Sequence, residues 1–194
     1  MKSHSFAPLM DWFPSHCDQD KLDKLYQHWQ LMLTWNTRTN LTAIKTDQEA
    51  LLKHYADSII MTEILPETGR VLDVGSGGGF PGLPLAVVRD DLEWTLLEPR
   101  QKRVSFLRAT IARLGLKNVT VIAGRSDETP RGISDIAVTR ATFSDVDSAR
   151  TVLNWLVPGG SLYALRSLDA EAWSGAVAST YSFGEHVRRI DRLN

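Results

Sequence analysis

Two acids set around a glycine-rich bend are the residues of this chain best placed to do chemistry. Asp73 interrupts the short apolar run of Val71, Leu72 and Val74, and Gly75-Ser76-Gly77-Gly78-Gly79 follows that run at once. Glu98 ends a second apolar run, Trp94-Thr95-Leu96-Leu97. An acid facing a pyrophosphate would set like charges together, whereas an acid facing an ammonium is welcome. A carboxylate at the second strand end can accept both hydroxyls of a ribose. A ligand with an amine, a ribose and no phosphate is S-adenosyl-L-methionine, and this pair of acids predicts it.

The elements that must position these acids follow from local pattern. An apolar run bounded by turn residues reads as a buried strand, and four glycines in five positions exclude both helix and strand interior. Leu83, Leu85, Ala86, Val87 and Val88 then read as a helix with Pro81 in its first turn. Strand, glycine turn and helix make the nucleotide-binding corner of an open α/β sheet. The free N–H groups at the start of that helix are expected to suit a carboxylate or a phosphate. No Lys-Ser or Lys-Thr follows the turn, which excludes a phosphate-cradling P-loop. Gly77, Gly79 and Gly82 also satisfy G-x-G-x-x-G, so an NAD(P)-binding oxidoreductase stands as an alternative.

Ahead of the corner, Leu22, Leu25, Tyr26, Trp29, Met32 and Leu33 recur at helical spacing over Asp20 to Trp35. The turn cluster Asn36 to Asn40 is expected to end that helix. Thr46-x-x-Glu49 reads as a capping box opening a second helix with Leu52, Tyr55, Ala56, Ile59 and Ile60 inward. Residues 1–65 therefore form a helical N-terminal subdomain, and residues 66–194 a Rossmann-like α/β domain with a mostly parallel sheet. Trp12 and Phe13 can dock the first residues. Beyond Glu98, residues 102–114 read as a helix whose basic side carries Lys102, Arg103, Arg108 and Arg113. Val119 to Ile122 is a third strand, after which Ser126 and Asp127 meet the expected adenine edge. Ile136 to Val138 is a fourth strand. Arg140 just past it is placed to hold the cofactor carboxylate, or a guanine O6 or phosphate, or to pair with Asp73 or Asp145. Phe80 can stack on a base or on the methionine chain.

Asn40-Leu-Thr42, His54-x-x-Asp57-Ser58, the tract from Asp73 to Pro84, Lys102-Arg103-x-x-Phe106-Leu107 and Thr139-Arg140-Ala141 occur in this order. The series resembles the RsmG family, also called glucose-inhibited division protein B, from about Trp29 to Arg166. The resemblance implies a class I fold and methyl transfer from S-adenosyl-L-methionine to N7 of a guanine in a loop of 16S ribosomal RNA, at guanine 527. Asp73, Gly75, Gly77, Gly79, Phe80, Glu98, Ser126, Asp127 and Arg140 are expected to hold the cofactor, with Arg140 also catalytic. Asn40, His54, Asp57, Lys102, Arg103 and Arg166 go to the RNA or small subunit. Where the family carries Lys-Gly after the fifth strand, this chain carries Arg166-Ser167.

N7 carries a free lone pair, so its methylation needs no general base. In keeping with that, no Asn/Asp-Pro-Pro-Tyr/Phe sequence follows the fourth strand. The single cysteine, Cys17, lies far from the bend and excludes a disulfide framework or a cysteine metal site; no metal is expected. Net charge is −1, so RNA binding requires basic residues gathered on one face. Without an apolar run of membrane length the chain is expected to be cytoplasmic, and monomeric. At the C-terminus only Tyr181 to Ile190 reads as a strand, so the expectation is either a sheet short of one edge strand or a truncated chain. That shortening leaves a non-catalytic role in rRNA binding or ribosome assembly as a second alternative.

Overall fold

The computed structural model describes residues 3–128 and 132–194. Seven strands form one sheet in the order β3-β2-β1-β4-β5-β7-β6. Strands β1 (Arg70–Val74), β2 (Glu93–Glu98), β3 (Val119–Ala123), β4 (Ser134–Arg140) and β5 (Leu156–Arg166) run parallel. β1 has β2 on one side and β4 on the other, so the winding reverses there. A crevice opens at the carboxyl ends of these three strands.

Alternation along the strands sorts side chains to two faces. Val71, Trp94, Leu96 and Val138 face one core, shared with α2 (Gln19–Thr39), α5 (Gly82–Val88) and α6 (Gln101–Leu114). Leu72, Val74, Leu97 and Ala137 face the other, with α7 (Val146–Arg150) and the 3-10 turn Thr151–Trp155. The N-terminal helices thus pack into the same apolar core as α5 and α6. By the same parity Asp73, Glu98 and Arg140 all point to the α5 face, and this fixes the site.

The first helix is longer than its pattern predicts. Asp18 caps its start by accepting from Lys21 N–H, and it runs to Thr39 with Asn40 left-handed at φ 49°. Asn36 ends it from inside: its Oδ1 accepts from Leu41 N–H at 2.6 Å and Thr42 N–H at 3.0 Å. The short 3-10 turn Ser3–Phe6 and α1 (Pro8–Trp12) are docked, with Phe6 and Leu9 fully buried and Trp12 and Phe13 against Phe183 at 5.4 and 5.8 Å between ring centroids.

Thr46 does cap the second helical stretch, accepting from Glu49 N–H. The stretch is not a uniform α-helix. α3 (Asp47–Ala50) passes into a π-helical turn, Leu51–Ala56, then α4 (Asp57–Ile59) and the 3-10 turn Ile60–Ile64. The wider turn shifts the inward face, so Leu51 is buried and Leu52 only partly so.

The C-terminus departs from the sequence expectation. β6 (Val177–Phe183) and β7 (His186–Leu193) form a hairpin, with β7 antiparallel to both β5 and β6. No edge strand is missing. Gly184, at φ 51°, and Glu185 make a two-residue turn inside what reads as a single strand. Among the described residues no helix is long and apolar enough to cross a membrane.

Candidate functional site

A trough runs over the glycine loop at the carboxyl ends of β1, β2 and β4. One lobe, about 330 Å³, is walled by Leu97, Pro99, Ser126, Asp127, Phe143 and Ser144. The other, about 470 Å³, is walled by Gly77, Phe80, Glu98, Arg103, Arg140 and His54. Gly75, Pro99 and Thr142 line both lobes, so the two adjoin there. Gly75 sits at φ 74°, and a Cβ there would lie 2.5 Å from Thr142 Oγ1. Thr142 itself is held by donating to Val74 O at 3.0 Å. Only glycine satisfies both that backbone and that contact.

The two acids brace the loop from beneath. Asp73 is fully buried and Oδ2 accepts from Gly82 N–H at 3.0 Å. A Cβ on Gly82 would lie 2.5 Å from that oxygen, so the glycine permits the approach. Asp73 therefore lies under α5 and not in the trough wall, and the first N–H of that helix is spent on it. Its other oxygen, Oδ1, is buried with no hydrogen-bond partner. Burial pushes the Asp73 carboxyl up to about 7. Glu98, also buried, accepts from Gly77 N–H at 2.9 Å and Arg100 N–H at 2.8 Å, while still lining the trough.

Arg140 pairs with neither Asp73 nor Asp145. It reaches the N-terminal helices, donating to Lys53 O at 2.7 Å and His54 Nδ1 at 3.0 Å, and lies 5.0 Å over the Phe80 ring. An arginine only donates, so His54 Nδ1 accepts and its proton sits on Nε2, facing Thr42 Oγ1 at 2.8 Å. His54 stacks on Phe80 at 4.3 Å and 15°. Burial and the neighbouring guanidinium hold its imidazole down to about 3.

The remaining expected residues divide. Ser126 and Asp127 line the first lobe, with the Ser126 carbonyl accepting from Trp155 Nε1–H and the Asp127 carboxylate beside Arg125 at 3.2 Å. Arg103 lines the second lobe and reaches Asn40 O at 3.5 Å, whereas Lys102 is exposed outside it. Asp57 does not pair with His54. It is bonded to Arg188 of β7 and lines a neighbouring recess that shares Arg140 and Ala141 with the trough. Arg166 in the same recess is engaged by Asp191 at 2.8 Å, donates to Glu171 O and covers Trp173. Sequence pattern does not single out Thr142, Phe143, Arg188 or His28. Thr142 and Phe143 were within reach, since they follow Arg140 at a strand end; Arg188 meets its partner 131 residues away.

The residues fit S-adenosylmethionine on observations of this chain. An unpartnered buried carboxylate oxygen lies beneath the loop, a Cβ at Gly75 would collide with the trough wall, and the carboxylate of Glu98 lines the trough. Fold and site together define a Rossmann-like S-adenosylmethionine-dependent methyltransferase. Solved structures share the fold: a SAM-dependent methyltransferase of Aquifex aeolicus at TM-score 0.56 and 17% identity, over 74% of this chain and 92% of that one. A precorrin-6y C5,15-methyltransferase of Geobacter metallireducens matches at 0.52 and 16%, over 78% and 91%.

The family model for GidB, rRNA small subunit methyltransferase G, matches residues 21–187, and the chain belongs to that family. Two relatives named ribosomal RNA small subunit methyltransferase G cover most of it. The protein of Clostridium beijerinckii is 38% identical over 79% of this chain and 68% of its own length. That of Acetivibrio thermocellus is 34% identical over 94% and 78%. The protein of Alkaliphilus metalliredigens bearing that name is 40% identical over 66% of this chain, which spans 57% of that relative.

Proposed function

We propose that the chain transfers a methyl group from S-adenosyl-L-methionine to N7 of a guanine in a loop of 16S ribosomal RNA, the guanine-527 site by family resemblance. The observation that carries N7 is the absence, among the described residues around Phe80 and Arg140, of a side chain free to take a proton. Both nitrogens of His54 are engaged, and the Glu98 carboxylate is bonded by two main-chain N–H groups. An acceptor that must lose a proton is poorly served here, whereas N7 has none to lose.

When bound, S-adenosylmethionine supplies an electrophilic methyl on a sulfonium sulfur. The chain's own residues bind, orient and exclude water. Glu98 is placed for ribose hydroxyls, and Ser126 and Asp127 for the adenine edge, while Asp73 braces the loop from beneath by accepting from Gly82 N–H. Phe80, buried against His54 and under Arg140, walls the acceptor side of the trough. Arg140, with one N–H on Lys53 O and another on His54, has further N–H donors for O6 or a flanking phosphate. N7 lies on the major-groove edge, which paired A-form RNA hides, so the target base is unpaired. Arg103 lines the trough and reaches Asn40 O, with Lys102 exposed beside it on α6, and Asp57, Arg188 and Arg166 line the recess beyond Arg140. The RNA path is assigned across both.

Tritiated methyl transfer to small subunits from cells lacking the protein tests this. The expected result is one labelled guanosine in 16S RNA, sensitive to the strand scission that N7-methylguanosine undergoes. Cofactor binding without label transfer would favour a non-catalytic rRNA-binding role.

A further inference from the structure

His28 is buried, at 1% exposure, inside the stripe by which α2 meets the core. Its Nε2 lies 2.9 Å from Gly78 O in the glycine loop, and its Nδ1 lies 3.0 Å from the Tyr55 hydroxyl. A carbonyl oxygen only accepts, so Nε2 carries the proton. The neutral ring then accepts at Nδ1, and the Tyr55 O–H donates to it. The Gly78 carbonyl thereby selects the tautomer, and the hydroxyl of Tyr55 satisfies the nitrogen that is left. Rings of Phe80, Tyr55 and Phe106 surround the imidazole at 5.2, 5.7 and 6.0 Å. One turn further along α2, Met32 backs the same residue: a Cβ on Gly78 would lie 3.0 Å from its sulfur.

The loop main chain is thus fixed at two successive residues from two sides, at Gly77 N–H by Glu98 and at Gly78 O by His28. A stretch so rich in glycine has little stiffness of its own, and its ordering cost falls on binding unless it is held beforehand. We propose that His28, oriented by Tyr55, is a positioning residue that holds the glycine loop in its cofactor-binding shape. Tyr55 stands in the π-helical turn beside His54, which grips Phe80 and Arg140. One short turn therefore fixes both the cofactor side and the acceptor side of the trough. The inference rests on cofactor binding at this loop and not on which base is methylated.

Calorimetric titration with S-adenosylmethionine tests it, using H28Q, H28F and Y55F beside the wild type. A glutamine amide places a donor where Nε2 stands; phenylalanine fills the space without one. H28F should bind the cofactor about tenfold more weakly or worse, because the Gly78 carbonyl is left buried and unpaired. H28Q should stay within about threefold of the wild type, the rescue expected when the donor and not the ring matters. In the methyl-transfer assay H28F should raise KM for the cofactor and leave kcat at saturation nearly unchanged. Nitrogen-15 spectra of labelled histidine should show His28 neutral with its proton on Nε2, and in Y55F the Nδ1 resonance should shift with the loss of its hydrogen bond. Amide exchange at Gly78 and Gly79 should quicken in H28F even if its melting point falls little. Wild-type affinity retained in H28F, or H28Q no better than H28F, overturns the proposal. A wild type that fails to bind the cofactor would instead overturn the cofactor reading itself.

Discussion

Replacing Asp73 by asparagine should make the protein's stability less sensitive to pH on the alkaline side of 4. Asp73 is fully buried, one oxygen accepts from Gly82 N–H, and the other has no partner. Burial raises its carboxyl from the ordinary 3.8 to about 7. With the folded value above the unfolded one, the favourable contribution is complete below pH 3.8 and is lost as pH rises through 7. At 1.36 kcal/mol per pH unit the loss amounts to about 4 kcal/mol, an upper figure because a buried site relaxes around its charge. The amide of D73N would still accept from Gly82 N–H through its oxygen and has no charge to bury. Urea unfolding of wild type and D73N at intervals from pH 4 to pH 8 measures this directly. The variant should gain on the wild type by several kcal/mol across that interval. Parallel stability curves would refute the assignment of a strained acid under the loop.

Three other consequences can be measured with the same protein. G75A, which sets a methyl 2.5 Å from Thr142 Oγ1 at a positive φ, should weaken cofactor binding at least tenfold in equilibrium dialysis, with about 1–2 kcal/mol lost from stability. R140K keeps a cation but not the fork that bonds Lys53 O and His54, so methyl transfer should fall by about tenfold or more while cofactor affinity changes less. His28 and His54, held neutral at about 4 and about 3 when folded, lower stability as pH falls below 6.5, where the unfolded rings take protons. An H28Q variant should lose part of that acid sensitivity in urea unfolding between pH 6.5 and pH 4.

The corner from Val71 to Val88 was legible because its signal is local: an apolar run, a bend only glycine can make, and a second apolar run. That Asp73, Glu98 and Arg140 share one face follows from the register between the strands, which a single sequence does not carry. Nor does it carry depth. Asp73 lies beneath α5 because Gly82, nine residues on, lets its carboxylate close on a main-chain N–H. The hairpin of β6 and β7 was hidden because Gly184-Glu185 interrupts an otherwise strand-like run without proline or asparagine. The partners of Asp57 and Arg166 were hidden for a related reason: both lie on β7, whose existence depends on that turn. His28 left one trace, a histidine spaced three from Leu25 and four from Met32 within an apolar stripe, where a ring with two nitrogens requires two partners.

A crystal structure with S-adenosylmethionine bound tests the central claim most directly. The account predicts the adenosine in the lobe of Ser126, Asp127 and Phe143, its ribose on Glu98, and the methyl-bearing end beside Phe80 and Arg140. Ligand density elsewhere on the molecule, with the trough over Gly75 to Gly79 empty, would contradict it.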